Sequence, residues 1–446
     1  MSLSSVPLDT PLWKETAPPG GVYPPLTGHA ETDVAVVGGG YAGLSTALAV
    51  AERGGQVIVL EAAEPGAGAS GRNGGQVIPG LRHFRSDLIA EYGEDKGTQA
   101  HAFGATTADV TFDLIHRLRL DCGAVQSGWI QLADTDDALR EGRLRCEAWA
   151  QRGAPAELLD REAVRQLTGS DAYLGGWIDR RGGTVQPLAY ARALARAAAA
   201  AGATIHARSP VVRIGRDGTC WSLTTPTGQL KARRLLLATN GSTGRLWPSV
   251  ARMILPVWSF QVATAPFPPE TRGGLLPDGQ AVSDTRRVIR YFRRDAAGRL
   301  IVGGKGTSHA PRRPQDFHLQ RKMVARLYPD MAEVALTHLW GGQVALTIDR
   351  LPRIVAIGPD ALASLGCNGK GVAWNTALGP VLAEALLTGD YAGLPIQVTR
   401  PRPIPFHELR RVYVAAGSTW LRLRDALDQP NLATFKPRKA DSNAES

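Results

Sequence analysis

Two glycine-rich stretches carry the residues best suited to chemistry. The first, Gly38-Gly39-Gly40-Tyr41-Ala42-Gly43, satisfies GxGxxG directly after an apolar, β-branched run at 33–37. In this pattern Gly38 permits a tight turn, Gly40 lets the backbone approach a pyrophosphate, and Gly43 lets a helix pack closely on a strand. The N–H groups at the head of that helix, around Tyr41 and Ala42, would meet the phosphates together with the positive end of its dipole. About 20 residues on, where the fingerprint places its acid, the strand VIVL runs into Glu61, a partner for a ribose diol. Strand, glycines, helix and acid arrive in register, which specifies a dinucleotide site.

The second stretch, GASGRNGGQ at 68–76, follows the ribose acid with four glycines, one guanidinium and two side-chain amides. No large apolar group is present, so it belongs to neither a core helix nor a core strand. Ala69, Ser70, Arg72, Asn73, Gly74, Gly75 and Gln76 are assigned to a clamp. Its donors suit both a diphosphate and the pyrimidine edge of an isoalloxazine ring, which favours FAD over NAD. Further on, LLLATNG at 235–241 returns the chain beneath the adenosine, and Val212 and Thr239 are assigned to that end of the site. Gly341, in WGGQ, joins the cofactor-binding set. No second GxGxxG occurs: GGKGTSH and GCNGKGV fail the spacing. A built-in NAD(P)H domain is therefore not expected, and electrons would come from an organic substrate and leave to oxygen or another acceptor.

The elements that must position these residues follow from periodicity and punctuation. A strand at 33–37, a helix to about residue 53 and a strand at 56–61 form a βαβ unit with strands buried on both faces. Residues 83–170 read as largely helical. Short alternating segments from 251 to 346 predict an antiparallel sheet, and the turn GCNGKG precedes a last long helix. The predicted fold is α/β. It has a discontinuous Rossmann-type FAD domain (31–95, 170–245 and 345–400) and an α+β substrate domain (96–169 and 246–344). An extended arm (1–30) and a C-terminal segment with a polar tail (401–446) flank them.

Bulk properties agree with a globular enzyme: 446 residues, 43% hydrophobic and 21% charged, mean hydropathy −0.13. A net charge of +10 permits an anionic partner, and the basic residues are spread along the chain. Cys122, Cys146, Cys220 and Cys367 lie far apart with no CxxC pair, which argues against zinc and disulfides and fits a reducing cytoplasm. No metal site and no secretory signal are expected. The uncharged run 34–51 is divided by its glycine triplet and is read as a strand and helix, with no stable membrane insertion.

These motifs together resemble the D-amino-acid-oxidase-like FAD oxidoreductases, and within them the gamma-glutamylputrescine oxidoreductase group. The resemblance rests on TDVAVVGGGYAGLSTALAVAERG and VLEAAEPGAGASGRNGGQ. It extends through PLWKETAP, GGTVQPLAYARALARAAAAAGA, ILPVWSFQVATAP, RYFRRDAAGRLIVGGKG, WGGQVALTIDRLPRI and GCNGKGVAWNTALGP. It implies FAD, a small-molecule amine substrate, and oxidation of a C–N bond by hydride transfer to flavin N5. The imine would hydrolyse to a carbonyl, and reoxidation by oxygen would give hydrogen peroxide. SGRNGGQ holds neither the His nor the Cys that relatives use for covalent attachment, so noncovalent FAD is expected. Relatives acting on N-methyl amino acids carry a lysine just after the final glycine turn; here Ala373 and Trp374 occupy that neighbourhood, which favours an amine without an adjacent carboxylate.

For chemistry, the N–H groups of Gly369, Gly371 and Val372, with Lys370, would stabilise negative charge at the flavin N1–C2=O edge. Tyr291, Trp340 and Trp258 are candidate substrate walls, each with core packing as its competing role. Lys305 would assist oxygen near the ring, and Asp349 would brace the flavin-side loop. His83, His318 and His407 have no spacing that suggests a triad. Two rival functions stay open. One is an amino- or imino-acid dehydrogenase passing electrons to a quinone, with its basic C-terminal segment on a membrane surface. The other is a tRNA-modifying flavoprotein, although no nucleic-acid-binding module is recognisable.

Overall fold

Residues 34–37, Val-Ala-Val-Val, offer no polar side chain to either face, and the strand they complete becomes central. In the computed structural model, which describes residues 6–268, 275–307 and 309–427, Gly28–Val37 lies between two parallel neighbours, Gly228–Leu237 and Val57–Leu60. Thr204–His206 extends the sheet beyond Val57–Leu60, again parallel. On the other side Ala361–Leu365 pairs parallel with Gly228–Leu237, followed by Arg353–Gly358 and Val398–Thr399. A hairpin of Arg213–Asp217 and Cys220–Thr224 completes a nine-stranded sheet among the described residues.

Helices cover this sheet because their contact faces are small. Tyr41–Glu52 packs against Gly371–Thr388, where the Ser45 hydroxyl donates to Thr376 O at 2.7 Å. Gly379 faces Ser45 so closely that a Cβ there would lie 2.3 Å from Ser45 Oγ and 2.6 Å from its carbonyl carbon. Pro187–Ala200 adds a third helix, with Tyr190 set 5.2 Å from Tyr41, ring to ring.

The second sheet has eight strands, in the order Leu336–Leu346, Leu255–Pro266, Arg299–Lys305, Arg290–Arg294, Ala281–Asp284, Trp129–Ala133, Gly175–Asp179 and Ala156–Leu159. All neighbours are antiparallel except Ala281–Asp284 beside Trp129–Ala133. The antiparallel sheet expected at 251–346 is thus present, widened by three strands from earlier in the chain. Two of these interrupt the expected helical stretch 83–170, because WIQLA and AELL complete β ladders with residues far away. Gly175–Asp179, placed by sequence in the dinucleotide half, pairs in the second sheet instead. Conversely, helix Glu94–Arg117, placed in the substrate half, packs on Gly371–Thr388.

The N-terminal segment is more than an extended surface arm. It forms a short helix, Leu12–Thr16, whose Leu12 and Trp13 are buried against Ile301 and Trp340 of the second sheet. Among the described residues no helix is long and apolar enough to cross a membrane. The tail expected to be disordered after about 435 lies outside the described residues.

The contact between Gly379 and Ser45 sets the spacing of the two helices that flank the glycine turns. Gly379→Ala is expected to destabilise the protein by about 1–3 kcal/mol through overpacking, since backbone as well as hydroxyl must move. Thermal unfolding checks this; an unchanged melting temperature would mean that the contact does not set the helix spacing.

Candidate cofactor and active site

The first glycine turn has the geometry its spacing predicts. Gly38 has φ +110°, donates to Leu60 O at 2.9 Å, and a Cβ there would meet Ala238 O at 3.0 Å. A Cβ on Gly43 would lie 2.0 Å from Gly38 O, so helix and turn can approach only with glycine at both positions. The helix starting at Tyr41 has no side-chain cap from its N-cap residue, Gly40. Tyr41 N–H instead reaches Ser70 Oγ at 3.1 Å, while the first-turn N–H groups of Ala42 and Gly43 have no intrahelical acceptor by position. Glu61 accepts from Gly39 N–H at 2.6 Å and Ala63 N–H at 2.9 Å, which fixes its carboxylate beside the turn. Uncapped amides next to an oriented carboxylate fit a dinucleotide's phosphates and ribose.

The clamp residues gather beside this turn, but most of their side chains already have partners. Asn73 Nδ2 donates to Ser70 O at 2.8 Å, and its Oδ1 accepts from Gly75 N–H at 2.7 Å. Arg72 pairs with Asp9 and donates through Nε to Gly341 O at 2.6 Å. Buried Gln76 spends its amide on Val282 O and Phe292 O, at 2.9 and 3.2 Å. Arg72 and Gln76 thereby tie the loop to the second sheet. Ser70 and the backbone at Ala69 and Gly74 are left as the candidates for cofactor contact, because Gly75 has its N–H on Asn73 and its carbonyl on Val185 N–H and Arg293. Gly341 belongs to the same ties: its N–H points to Asp9 Oδ1 at 3.3 Å.

Two other assignments change, those of Trp340 and Val212, while Thr239 lies beside the first glycine turn. Trp340 is fully buried, its indole N–H donated to Arg72 O at 3.1 Å and its ring edge-on to Trp13 at 5.9 Å, so it is a core residue and no substrate wall. Val212 has its N–H taken by Thr224 O at 2.8 Å and its side chain 60% exposed, so its amide is not offered to an adenosine. Thr239 shares a hydroxyl bond with Thr243 at 2.8 Å and sits next to Ala238, which abuts Gly38. Its neighbour Asn240, not singled out in the sequence, does more. At φ +44° it accepts from Gly366 N–H at 3.0 Å, linking the central sheet to the second glycine turn.

In that second turn Asn368 Oδ1 accepts from Thr347 N–H at 3.0 Å, and Gly369 has φ +89°. Lys370 caps the last helix and turns its ammonium onto Pro79 O and Gly80 O, both at 3.1 Å, 5.3 Å from the Trp129 ring centroid. Burial, with Arg145 and Arg82 close by, pulls its pKa down to about 7. Gly371 and Val372 open the helix, while Ala373 and Trp374 are buried, Trp374 edge-on to Phe103. Neither offers a group to a carboxylate.

Tyr291 stands across the clamp. Its ring packs on Gly74 and Gly303, and its hydroxyl bonds Ser259 Oγ at 2.8 Å; burial pushes its pKa up. Lys305 ends the neighbouring strand in register with Ser259, and Trp258 O accepts from Gly306 N–H. Tyr291, Lys305 and Trp258 therefore share one end of the second sheet. Asp349 pairs with Arg353 and accepts from Leu351 N–H; these partners hold its pKa low although burial pushes it up. His83, His318 and His407 lie on separate segments, and burial lowers the pKa of His83. Sequence reading also missed Arg293, a buried cation two residues from Tyr291. Its Nη1 donates to Val185 O at 2.6 Å and Gly75 O at 3.3 Å, and burial lowers its pKa to about 10. The contiguous arginines of RYFRRD were its only signal.

The DAO family, described as FAD dependent oxidoreductase, matches residues 33–385. The chain belongs to that family. Its cofactor is FAD, as the glycine turn, the uncapped helix and Glu61 anticipate. It is 32% identical over 402 residues to gamma-glutamylputrescine oxidoreductase of Escherichia coli, covering 89% of this chain and 93% of the relative. A probable oxidoreductase, OrdL, of Rhizobium meliloti is also 32% identical, over 93% of this chain and 97% of its own. In fold the chain is similar to glycine oxidase from Geobacillus kaustophilus, with a TM-score of 0.68 at 22% identity, covering 82% of this chain and 96% of that one.

The doubly bonded carboxylate of Glu61 generates a test. Glu61→Gln keeps the shape but weakens acceptance from Gly39 N–H and a ribose diol, so FAD affinity is expected to fall about tenfold. Flavin content and FAD titration of the stripped protein measure it. Undiminished affinity would remove Glu61 from the ribose role.

Proposed function

We propose that the protein oxidises the C–N bond of a primary or secondary amine, of the gamma-glutamylputrescine kind, and passes the electrons to oxygen as an oxidase. The observation that carries this reading is the likeness to gamma-glutamylputrescine oxidoreductase over 89% of the chain. It is supported by the apolar burial of Ala373 and Trp374, which leaves no lysine there for a carboxylate adjacent to the amine. FAD, bound noncovalently, supplies the hydride acceptor at flavin N5. The chain's residues hold and orient. Amides of Gly40, Ala42 and Gly43 and the Ser70 hydroxyl take the phosphates, and Glu61 takes the ribose. Gly369, Gly371 and Val372 offer N–H groups where negative charge develops, and Tyr291 forms one wall of the substrate space. Water then hydrolyses the imine to a carbonyl.

Lys370 adds a charge that titrates near neutrality. It is protonated below about 7 and neutral above, so stabilisation of negative charge by its ammonium fades as pH rises. Negative charge placed nearby by reduction favours the ammonium and moves this transition upward. The alkaline limb of kcat is therefore assigned to Lys370, and Lys370→Met is expected to flatten that limb and lower kcat by about 10- to 100-fold. An unchanged limb would take Lys370 out of this role.

Oxygen uptake and peroxide release across putrescine, gamma-glutamylputrescine, other N-alkyl amines, sarcosine, pipecolate and D- and L-amino acids test the function itself. Rapid peroxide formation with an amine is the expected result. Anaerobic bleaching of the flavin without peroxide in air would instead make the protein a dehydrogenase.

A further inference from the structure

Beside the loop that holds Lys370 lies a cavity of about 190 Å³, bounded by helix Glu94–Arg117 and the turn after Trp149. Its lining includes Arg85, Thr98, His101, Trp149, Arg152 and Arg181 and no carboxylate. His101 stacks on Trp149 at 4.9 Å with 14° between planes, and Arg181 lies 4.9 Å from the Trp149 ring centroid. The two planar groups form a stacked wall, with cations around them.

The charges do not cancel. Arg181 forks onto buried Asp179, at 2.9 and 2.6 Å, and Arg85 shares a nitrogen between Glu94 at 2.7 Å and Thr98 Oγ1 at 2.8 Å. Arg152 bonds only the Ala148 carbonyl, at 2.8 Å, and meets no carboxylate among the described residues. Half-buried Asp109 also senses Arg181 and Asp179, and burial raises its pKa. Burial, then Arg152, Arg85 and Arg181, push the His101 pKa down, so the imidazole is held neutral by the same field an anion would relieve. Asp179 and Glu94 are bonded to two of the guanidiniums and Asp109 interacts with Arg181, which leaves Arg152 as the one with no carboxylate bonded to it among the described residues.

We propose that this cavity binds a small oxyanion-bearing molecule, a carboxylate or a phosphate, at a site separate from the amine-oxidising centre. Arg152 and Arg85 contact the oxyanion, His101 donates once protonated, and any flat portion of the ligand lies against the Trp149 wall. Gly80 stands between them in the contacts: Trp149 packs on it, so that a Cβ there would fall 2.9 Å from the ring, and its carbonyl accepts from Lys370 Nζ. Charge-assisted bonds to a planar guanidinium supply both affinity and orientation.

Calorimetric titration of the flavin-loaded protein at low ionic strength, with succinate, benzoate and inorganic phosphate as separate probes, tests this. One-to-one saturable binding of at least one probe is expected, and which probes bind separates a carboxylate ligand from a phosphate. Arg152→Gln is expected to weaken that binding at least about tenfold with flavin content unchanged. A bound anion stabilises the imidazolium, so binding takes up a proton and tightens from about pH 8 to about pH 6. His101→Gln is expected to abolish that proton uptake; if it persists, Asp109 or another group is responsible and the His101 role fails. No saturable binding, affinity indifferent to Arg152→Gln, or competition between the probe and the amine substrate would each overturn the proposal.

Discussion

The backbone carbonyl of Arg72 accepts from Gln261 Nε2 at 2.6 Å and from Trp340 Nε1 at 3.1 Å, both on the second sheet. One residue on, Asn73 O accepts from Trp13 Nε1 at 2.8 Å, and Gly75 O accepts from Arg293. A loop with four glycines has no stiffness of its own, and each glycine costs conformational entropy to order. Here it is ordered from outside, by side chains whose own positions are set by the core of the second sheet. The two sheets are therefore held to each other through the glycine-rich segment 68–76. Movement of either sheet is transmitted to Gly74 and Gly75, and from Gly74 to the Tyr291 ring packed on it.

This arrangement explains which features the sequence made legible. Gly38, Gly43 and Glu61 are readable because their task is backbone geometry within one βαβ unit, where the permitted residue type is nearly unique. The clamp was readable as a place but not as a set of roles. Arg72 and Gln76 carry the donors a phosphate wants, yet they bond carbonyls 206 to 269 residues away, and no spacing rule reaches that far. Trp340 has the side chain of a substrate wall, and its burial depends on Trp13, from a segment that reads as a surface arm. Gly175–Asp179 reads as a strand of either sheet; only its pairing with Trp129–Ala133 decides which.

Electrostatics follow the same division between local and long-range. The charge of +10 is scattered along the chain, and in space part of it converges. Arg82 is drawn to lower pKa by burial and by Arg145, Arg350 by burial and by Arg82, and Lys370 by burial, Arg145 and Arg82. Burial is the largest cause for each, and the closeness of like charges adds to it. That closeness is costly in the protein alone and favours an anionic occupant, because focusing of field lines in a cleft raises the local concentration of anions.

Arg293 extends the argument to the interior. Burying a guanidinium with no carboxylate bonded to it costs on the order of several kcal/mol, as for an ion removed from water, and its Nε has no hydrogen-bond partner among the described residues. The carbonyls of Val185 and Gly75, the charge of Asp295 and the Trp13 ring offset part of that cost. A neutral side chain of the same length would bond these carbonyls less strongly but would escape the desolvation penalty. Retention of the charge thus makes sense where the loop's other side receives negative charge. Lys370, bonded to Gly80 O, carries its charge only below about pH 7, whereas the Arg293 cation at Gly75 O is in place before any ligand arrives. Preorganised charge of this kind requires no rearrangement when electrons are delivered.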